Sequence, residues 1–526
     1  MNASLSLKNK PYRIVILITG LVTLVLGILI FIVPPSPFPD PSWGFQVMRC
    51  MQQGHPFNLL LSPNPDNIAL DDADFLSWWS PGQYLMPYFL KTILWLNTGK
   101  AVALTVSLCS VLGLAGYYQL FKRLGFTPWI SAISMAFIAS QNFFILPHIF
   151  YTGGETLLFA FAGWFLYGCF GVNKLNWQAL LFVLCAGLVG FFAKSSALWM
   201  YAAGVACIWI NVSFGQKDIL KWVKNGVLLA IPFISAIAII YLFYLSKGQN
   251  PSNAGGPLLI KPETFSFPLA SPLLAGLSLD ELFNGFIYHP DGAMFSYQWT
   301  TVILIVIALS ALALVIAVYR YVPERRYAIA LIAFYVIGNV FFTYLYLKQA
   351  AVSFEGRHYR IIGLLAIPGI VYLVSKAKIS RIAFGIVWIA FICWEFKTFK
   401  TEFNYNRHAS HGISGLSQQA YVQSTLDELS ALDAQHPNQA IFVIPSPDIA
   451  IELPHNRIIT LDIEDMTSQE FAELKYAGNG GIIYILMPVS YEKNGTAKGI
   501  CKSFVNYHHF EVKPLDKDYR LYTAIN

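Results

Sequence analysis

The sequence is short of charge. Only 12% of its 526 residues are Asp, Glu, Lys or Arg, against roughly 25% in soluble domains. With 56% of residues hydrophobic, that deficit excludes an ordinary soluble enzyme and indicates a polytopic membrane protein. Concentrated basic character is missing too. The net charge of +6 is spread in short groups between apolar runs, with no basic recognition helix, which argues against nucleic acid as a partner. The seven cysteines (Cys50, Cys109, Cys169, Cys185, Cys207, Cys393 and Cys501) form no CxxC pair and no metal-ligand spacing. Most lie in apolar runs, where cysteine acts as a small hydrophobe. Cys50 and Cys501 share one side of the topology below, and a bond between them is left open. There is no internal repeat and no acid at the middle of a span, which argues against the repeat architecture of secondary transporters.

What the sequence has in abundance is long apolar runs. Eleven read as spans, roughly 14–33, 101–121, 128–146, 155–171, 178–192, 196–213, 226–245, 299–319, 327–347, 361–375 and 382–397. Several approach the lower length limit, so a merged or re-entrant segment stays open. Lys8, Lys10 and Arg13 precede the first run. A signal peptide has the same outline, but this run is long for an h-region, and PPSPFPD offers no small-residue cleavage site. The segments assigned to the inner side hold 15 Lys/Arg in 52 residues, and those assigned to the outer side hold 9 in 144. This positive-inside bias puts the N-terminus in the cytoplasm and the C-terminal tail outside.

The count requires Pro81–Leu96 not to cross. Pro81, Pro87 and Lys91 make it an interfacial helix, with Trp79 and Tyr84 expected near lipid. The expected division is a transmembrane domain over 1–397 and an extracytoplasmic small α/β domain over 398–526. Loops 34–100 and 246–298 would lie outside, the second reading as a mobile lid or surface loop. In the tail, 440–445, 457–461, 481–487, 509–512 and 520–524 read as strands. Residues 467–476 read as a helix capped by Thr467 or Ser468, giving a three-layer sandwich.

Asp40 stands a few residues past the first span, in FPDPSWGFQVMRC. Ionisable groups at membrane depth are costly and usually functional. One reading makes Asp40 the N-cap of helix Pro41–Gln53, with proline at the first helical position. The other makes it a general base toward a hydroxyl. Asp71, Asp72 and Asp74 read as a solvated loop and helix start more readily than as a metal site. His508-His509 lacks the partners of a metal site, and Asn494-Gly495-Thr496 is a sequon by pattern only.

The order of these features resembles the GT-C glycosyltransferases, in the protein O-mannosyltransferase and aminoarabinose transferase branch. The resemblance rests on Asp40 after the first span, then Ser80-Pro81-Gly82-Gln83-Tyr84, then Lys122-Arg123-Leu124-Gly125-Phe126. It continues through Tyr151-Thr152-Gly153-Gly154-Glu155-Thr156, Ala193-Lys194-Ser195, and Phe354–Arg360 followed by Pro368-Gly369. It spans roughly residues 10–400. Two features depart from the pattern: no second acid follows Asp40, and Glu155 stands where the family has Asp. They leave metal use and acceptor class open.

The resemblance implies a GT-C-like fold and an inverting transferase that takes its sugar from a polyprenyl-phosphate donor on the outer face. Asp40 would be the base. Arg357, Lys348, His358, Arg360 and Lys194 would bind the donor phosphate. Interfacial snorkelling is the alternative for the basic residues, and a structural role for His358. Glu155 would position the acceptor or a metal, or merely favour a helix N-terminus. No cofactor is required, with a divalent metal left open. The acceptor, a glycan, lipid or protein, is unassigned. The expected location is a bacterial plasma membrane. A non-catalytic lipid-binding protein and a lipid or sugar transporter are the alternatives.

Overall fold

The computed structural model describes residues 11–249, 255–279, 295–461 and 473–525. All eleven apolar runs fall on helices. Seven of these are long and apolar enough to cross a membrane: Pro11–Ile32, Thr98–Arg123, Ile219–Lys247, Tyr297–Tyr321, Arg325–Leu347, Gly356–Ser375 and Lys378–His408. The chain is therefore a multi-pass membrane protein. Pro128–Ala139 and Asn142–His148 make an eighth crossing if the pair, bent by 69°, is one span. The expected count of eleven also needed Gly154–Cys169, Trp177–Ala193 and Ala197–Ser213. These have 16, 17 and 17 residues. At ~1.5 Å per residue they reach about 24–26 Å, at the short end of the roughly 17–25 residues that span a bilayer.

The loop after the first helix is built on proline. Ser36–Pro37 pairs in parallel with Phe150–Tyr151. Helix Pro39–Gln52 then begins one turn-defining proline earlier than expected, with Phe38 at the N-cap and no side-chain cap. Both Pro39 and Pro41 suit a first turn, and the helix takes the first. Asp40 consequently lies inside the first turn and does not cap it, and its carboxylate is turned to other partners.

Leu59–Asn64 and Asn67–Phe75 form an antiparallel hairpin. Its turn is closed by Asn64 Oδ1, which accepts from the Asp66 and Asn67 amides at 2.7 and 3.2 Å. Asp71, Asp72 and Asp74 are thus exposed strand residues, not a loop or helix start. Helix Gly82–Leu94 follows and packs on Thr98–Arg123. Phe89, Ile93 and Leu94 are exposed, as an interfacial helix requires. Tyr84 departs from expectation. It is buried, and its hydroxyl donates to Asn58 Oδ1 at 2.7 Å, so it faces the protein rather than lipid. Burial pushes its phenol upward.

In the second long loop, helix Pro262–Leu274 is packed against Tyr297–Tyr321 and Arg325–Leu347. It is largely buried rather than a surface loop. Residues 250–254 and 280–294 of that loop lie outside the described residues, as does most of the helix expected at 467–476.

The C-terminal segment carries a five-stranded sheet in the order Glu511–Pro514, Tyr519–Ile525, Ile482–Pro488, Ala440–Ile444, Arg457–Thr460. The last three strands are mutually parallel, and Tyr519–Ile525 is antiparallel to Ile482–Pro488. Helix Gln423–Gln435 contributes Leu426 and Leu429 to one apolar face, and helix Thr496–Ser503 gives Ala497 and Ile500 to the other. Helix Lys378–His408 runs past residue 397 without a break, so membrane helix and tail are continuous at that point.

This segment sits on the loop that carries Asp40. The buried Arg49 guanidinium donates through Nε to the Leu453 carbonyl at 2.7 Å and through Nη2 to the Asn456 carbonyl. Gln46 Nε2 donates to Thr460 Oγ1 at 3.0 Å. Ile68 of the hairpin inserts, fully buried, into the core of the sheet. All seven cysteines are free, so Cys50 and Cys501 are not paired.

Candidate active site

Four segments far apart in sequence bring charges to one place. Asp40 comes from the first turn of Pro39–Gln52 and Glu155 from the first turn of Gly154–Cys169. Lys194 is the C-cap of Trp177–Ala193, and Arg357 lies in the short turn Gly356–Tyr359. Acids at helix N-termini and a cation at a C-terminus are each favoured by the helix dipole. Arg357 is the hub. Its Nη1 lies 3.0 Å from Asp40 Oδ2 and 3.7 Å from Glu155 Oε1, and its Nε pairs with Glu355 Oε2. Lys194 Nζ pairs with Glu155 Oε1.

The backbone that allows this approach is made of small residues. Gly153 has φ +61°, and a Cβ there would lie 2.8 Å from Gln83 Oε1. A Cβ on Gly154 would lie 2.9 Å from the Ala193 carbonyl, so the segment bearing Lys194 could not come as close to Glu155.

Exposure grades across the cluster. The side chains of Asp40, Arg357, Glu155 and Lys194 are 37%, 28%, 25% and 16% exposed. Of these four Asp40 is the most exposed and Lys194 the deepest, and Glu355 on the rim is more exposed still. Burial pushes the Lys194 ammonium below its ordinary value, and Glu155 opposes that shift.

Of the expected phosphate ligands, Arg357 and Lys194 form the ion pairs of this cluster. His358 lies close enough for the charges of Arg357 and Lys194 to act on it. Its Nε2 lies 3.3 Å from Ser353 Oγ and its ring packs on Phe342. Arg360, three residues from Arg357, donates to the Ala275 carbonyl at 3.3 Å and lies over the Phe143 ring. Lys348 ends helix Arg325–Leu347 with an exposed side chain and forms no ion pair with the cluster. Trp79 is half-buried and stacks on Trp43. Glu355 was not singled out in the sequence, although it stands two residues before Arg357 in the same motif.

Among the described residues no group of three His, Cys, Asp or Glu is placed to hold a metal ion. Asp40 and Glu155 both face the Arg357 guanidinium.

Solved structures align along nearly the whole chain. ArnT from Cupriavidus metallidurans in the apo state matches 97% of this chain and 97% of its own, with TM-score 0.51 and 10% identity. The fold is that of the GT-C glycosyltransferases. The archaeal oligosaccharyltransferase AglB from Archaeoglobus fulgidus, in complex with an inhibitory peptide and a dolichol-phosphate, matches 98% of this chain and 74% of its own. Its TM-score is 0.50 and its identity 12%. Arabinofuranosyltransferase AftD from Mycobacteria is longer. The match covers 98% of this chain and 40% of AftD, with TM-score 0.51 and 12% identity. No family model and no curated protein sequence matches the chain. At these identities the likeness is one of GT-C fold, and chemistry has to be argued from the residues.

Proposed function

We propose that the protein is an inverting glycosyltransferase that moves a sugar from a polyprenyl-phosphate donor to an acceptor hydroxyl at the outer face of a bacterial plasma membrane. The observation that carries this reading is the meeting of Asp40, Glu155, Lys194 and Arg357 at one point of a GT-C fold. The dolichol-phosphate in the AglB complex supports the donor class, and the charge asymmetry of the loops supports the orientation.

In this mechanism the acceptor oxygen attacks the anomeric carbon while the bond from that carbon to the phosphate oxygen breaks. Asp40 takes the acceptor proton, and the polyprenyl phosphate leaves with the electron pair. A single displacement inverts the anomeric centre. General-base help of this kind contributes about 10²–10⁴ in rate. Arg357 and Lys194 supply fixed positive charge toward the departing phosphate.

The pairing in the structure gives donor binding a second role. Arg357 is held by Asp40 at 3.0 Å. A phosphate drawn to Arg357 competes with Asp40 for the same guanidinium and frees the carboxylate to meet the acceptor. Glu155 holds Lys194 and Arg357 in register and needs no proton transfer of its own.

The test is transfer from a panel of labelled polyprenyl-phosphate sugars by purified protein, wild type beside Asp40→Asn. Turnover by the wild type that collapses in the variant supports the reading. If every donor is inert with the wild type, the scaffold is non-catalytic.

A further inference from the structure

A stacked pair of tryptophans stands one helical turn from Asp40. Trp43 lies three residues after Asp40 on helix Pro39–Gln52, so the two share a face. Trp79, from the linker before helix Gly82–Leu94, lies nearly parallel to Trp43, with ring centroids 6.5 Å apart and 13° between planes. Trp78 meets Trp79 edge-on at 6.3 Å. All three rings are half-buried. Among the described residues none accepts a hydrogen bond from their indole N–H groups.

The linker is fixed from behind. The Tyr244 hydroxyl donates to the Trp79 carbonyl at 2.7 Å and lies 3.0 Å from the Leu76 carbonyl. Asn58, fully buried, donates to the same Leu76 carbonyl at 2.8 Å and accepts from Tyr84 at 2.7 Å. Tryptophans that merely anchor a chain at the membrane interface need no such support. Rings held rigid before a ligand arrives are a device of binding sites.

The chemistry of the platform selects among acceptors. It offers flat apolar faces with N–H donors at their edges and carries no charge of its own. A ring with an apolar C–H face and a rim of hydroxyls matches that pattern. A peptide would seek backbone partners, and the linker carbonyls of Leu76 and Trp79 are already engaged.

We infer that Trp43, Trp78 and Trp79 form the acceptor subsite and that the acceptor is a saccharide, stacked on the indoles so that one hydroxyl faces Asp40. This inference rests on the transferase reading and names its acceptor class.

The experiment uses the full-length protein in nanodiscs. Cellotetraose, chitotetraose, maltotetraose and α-1,6-mannotetraose are titrated separately and followed by saturation-transfer NMR. Undecaprenyl phosphate is titrated in parallel. At least one saccharide should bind wild type through its ring C–H protons. Trp43→Ala and Trp79→Ala should weaken that binding about tenfold, and Trp79→Phe, which keeps a stacking face, by no more than about threefold. Undecaprenyl phosphate binding should be unchanged in all three, which also shows that they fold. Absence of binding by all four saccharides to the wild type, or equal binding by the alanine variants, overturns the inference. Saccharide binding that survives while the wild type fails to bind undecaprenyl phosphate upholds the platform and removes the transferase reading instead.

Discussion

Asp40→Asn should separate catalysis from folding. The side chains of Asp40 and Arg357 are 37% and 28% exposed, so solvent screens their pairing and its loss costs about 0–1 kcal/mol. Arg357 keeps Glu155 and Glu355, and an Asn oxygen can still accept from Nη1. The melting temperature should therefore move by no more than about 2 °C. Turnover should fall about 10²–10⁴-fold, equivalent to roughly 3–5 kcal/mol of barrier. Removing one negative charge beside Arg357 also leaves the cluster more attractive to phosphate. Donor affinity should rise or hold while turnover drops. The assay is single-turnover transfer with saturating labelled donor, together with thermal melting in the same detergent. Turnover within about threefold of wild type would remove Asp40 as the base. If Glu155→Gln were then inactive with its melting temperature intact, the base role would pass to Glu155.

Three further outcomes follow from other parts of the molecule. Gly153→Ala forces a side chain onto φ +61° and toward Gln83. It should destabilise by about 1–2 kcal/mol and cut transfer by displacing Glu155; an unchanged melting curve would show that the turn is not strained. Arg49→Met strands the Leu453 and Asn456 carbonyls and should loosen the C-terminal segment by about 2–4 kcal/mol, read as faster chymotryptic cleavage of that segment. Glu452, buried between Ser414 and Gln418, is held by burial above its ordinary 4.5. Its folded form retains a proton that the unfolded chain has lost, so stability falls as pH rises from about 4.5 through the folded value and then levels. Glu452→Gln should flatten part of that slope in melting experiments, the rest belonging to Asp448, which burial shifts the same way. Identical slopes in the two proteins would assign the whole effect elsewhere.

The membrane helices were legible because an apolar run carries its own evidence, whatever packs beside it. The parallel strands 440–444, 457–460 and 482–488 were legible for the same reason. Asp40 stood out because an acid beside a span has few structural excuses. Its geometry did not, since two prolines competed to start the helix and local preference could not rank them. The hairpin 59–75 was hidden because its exposed strand is rich in Asp, and because Ile68 is buried only by residues some 370 or more positions later. Arg357 and Arg360 are equivalent to any sequence pattern. A short turn sends one to the carboxylates and the other to Phe143. Tyr84 was misplaced because an aromatic residue on an interfacial helix has two faces to choose from, and Asn58, which decides the matter, lies on another segment.

The two-residue pairing of Ser36–Pro37 with Phe150–Tyr151 acts as the pivot of a caliper. Asp40 hangs three residues beyond one arm and Glu155 four beyond the other, so each tether spans at most about 10–14 Å. Bilayers of different thickness tilt membrane helices, but both carboxylates are referenced to the same pivot and travel together. Lys194 follows Ala193, whose carbonyl abuts Gly154, and so travels with Glu155, whereas Arg357 is carried by the turn before helix Arg360–Ser375. Membrane thickness should therefore leave the spacing of the acids and Lys194 alone and regulate how closely Arg357, and the lipid phosphate it receives, comes up to them.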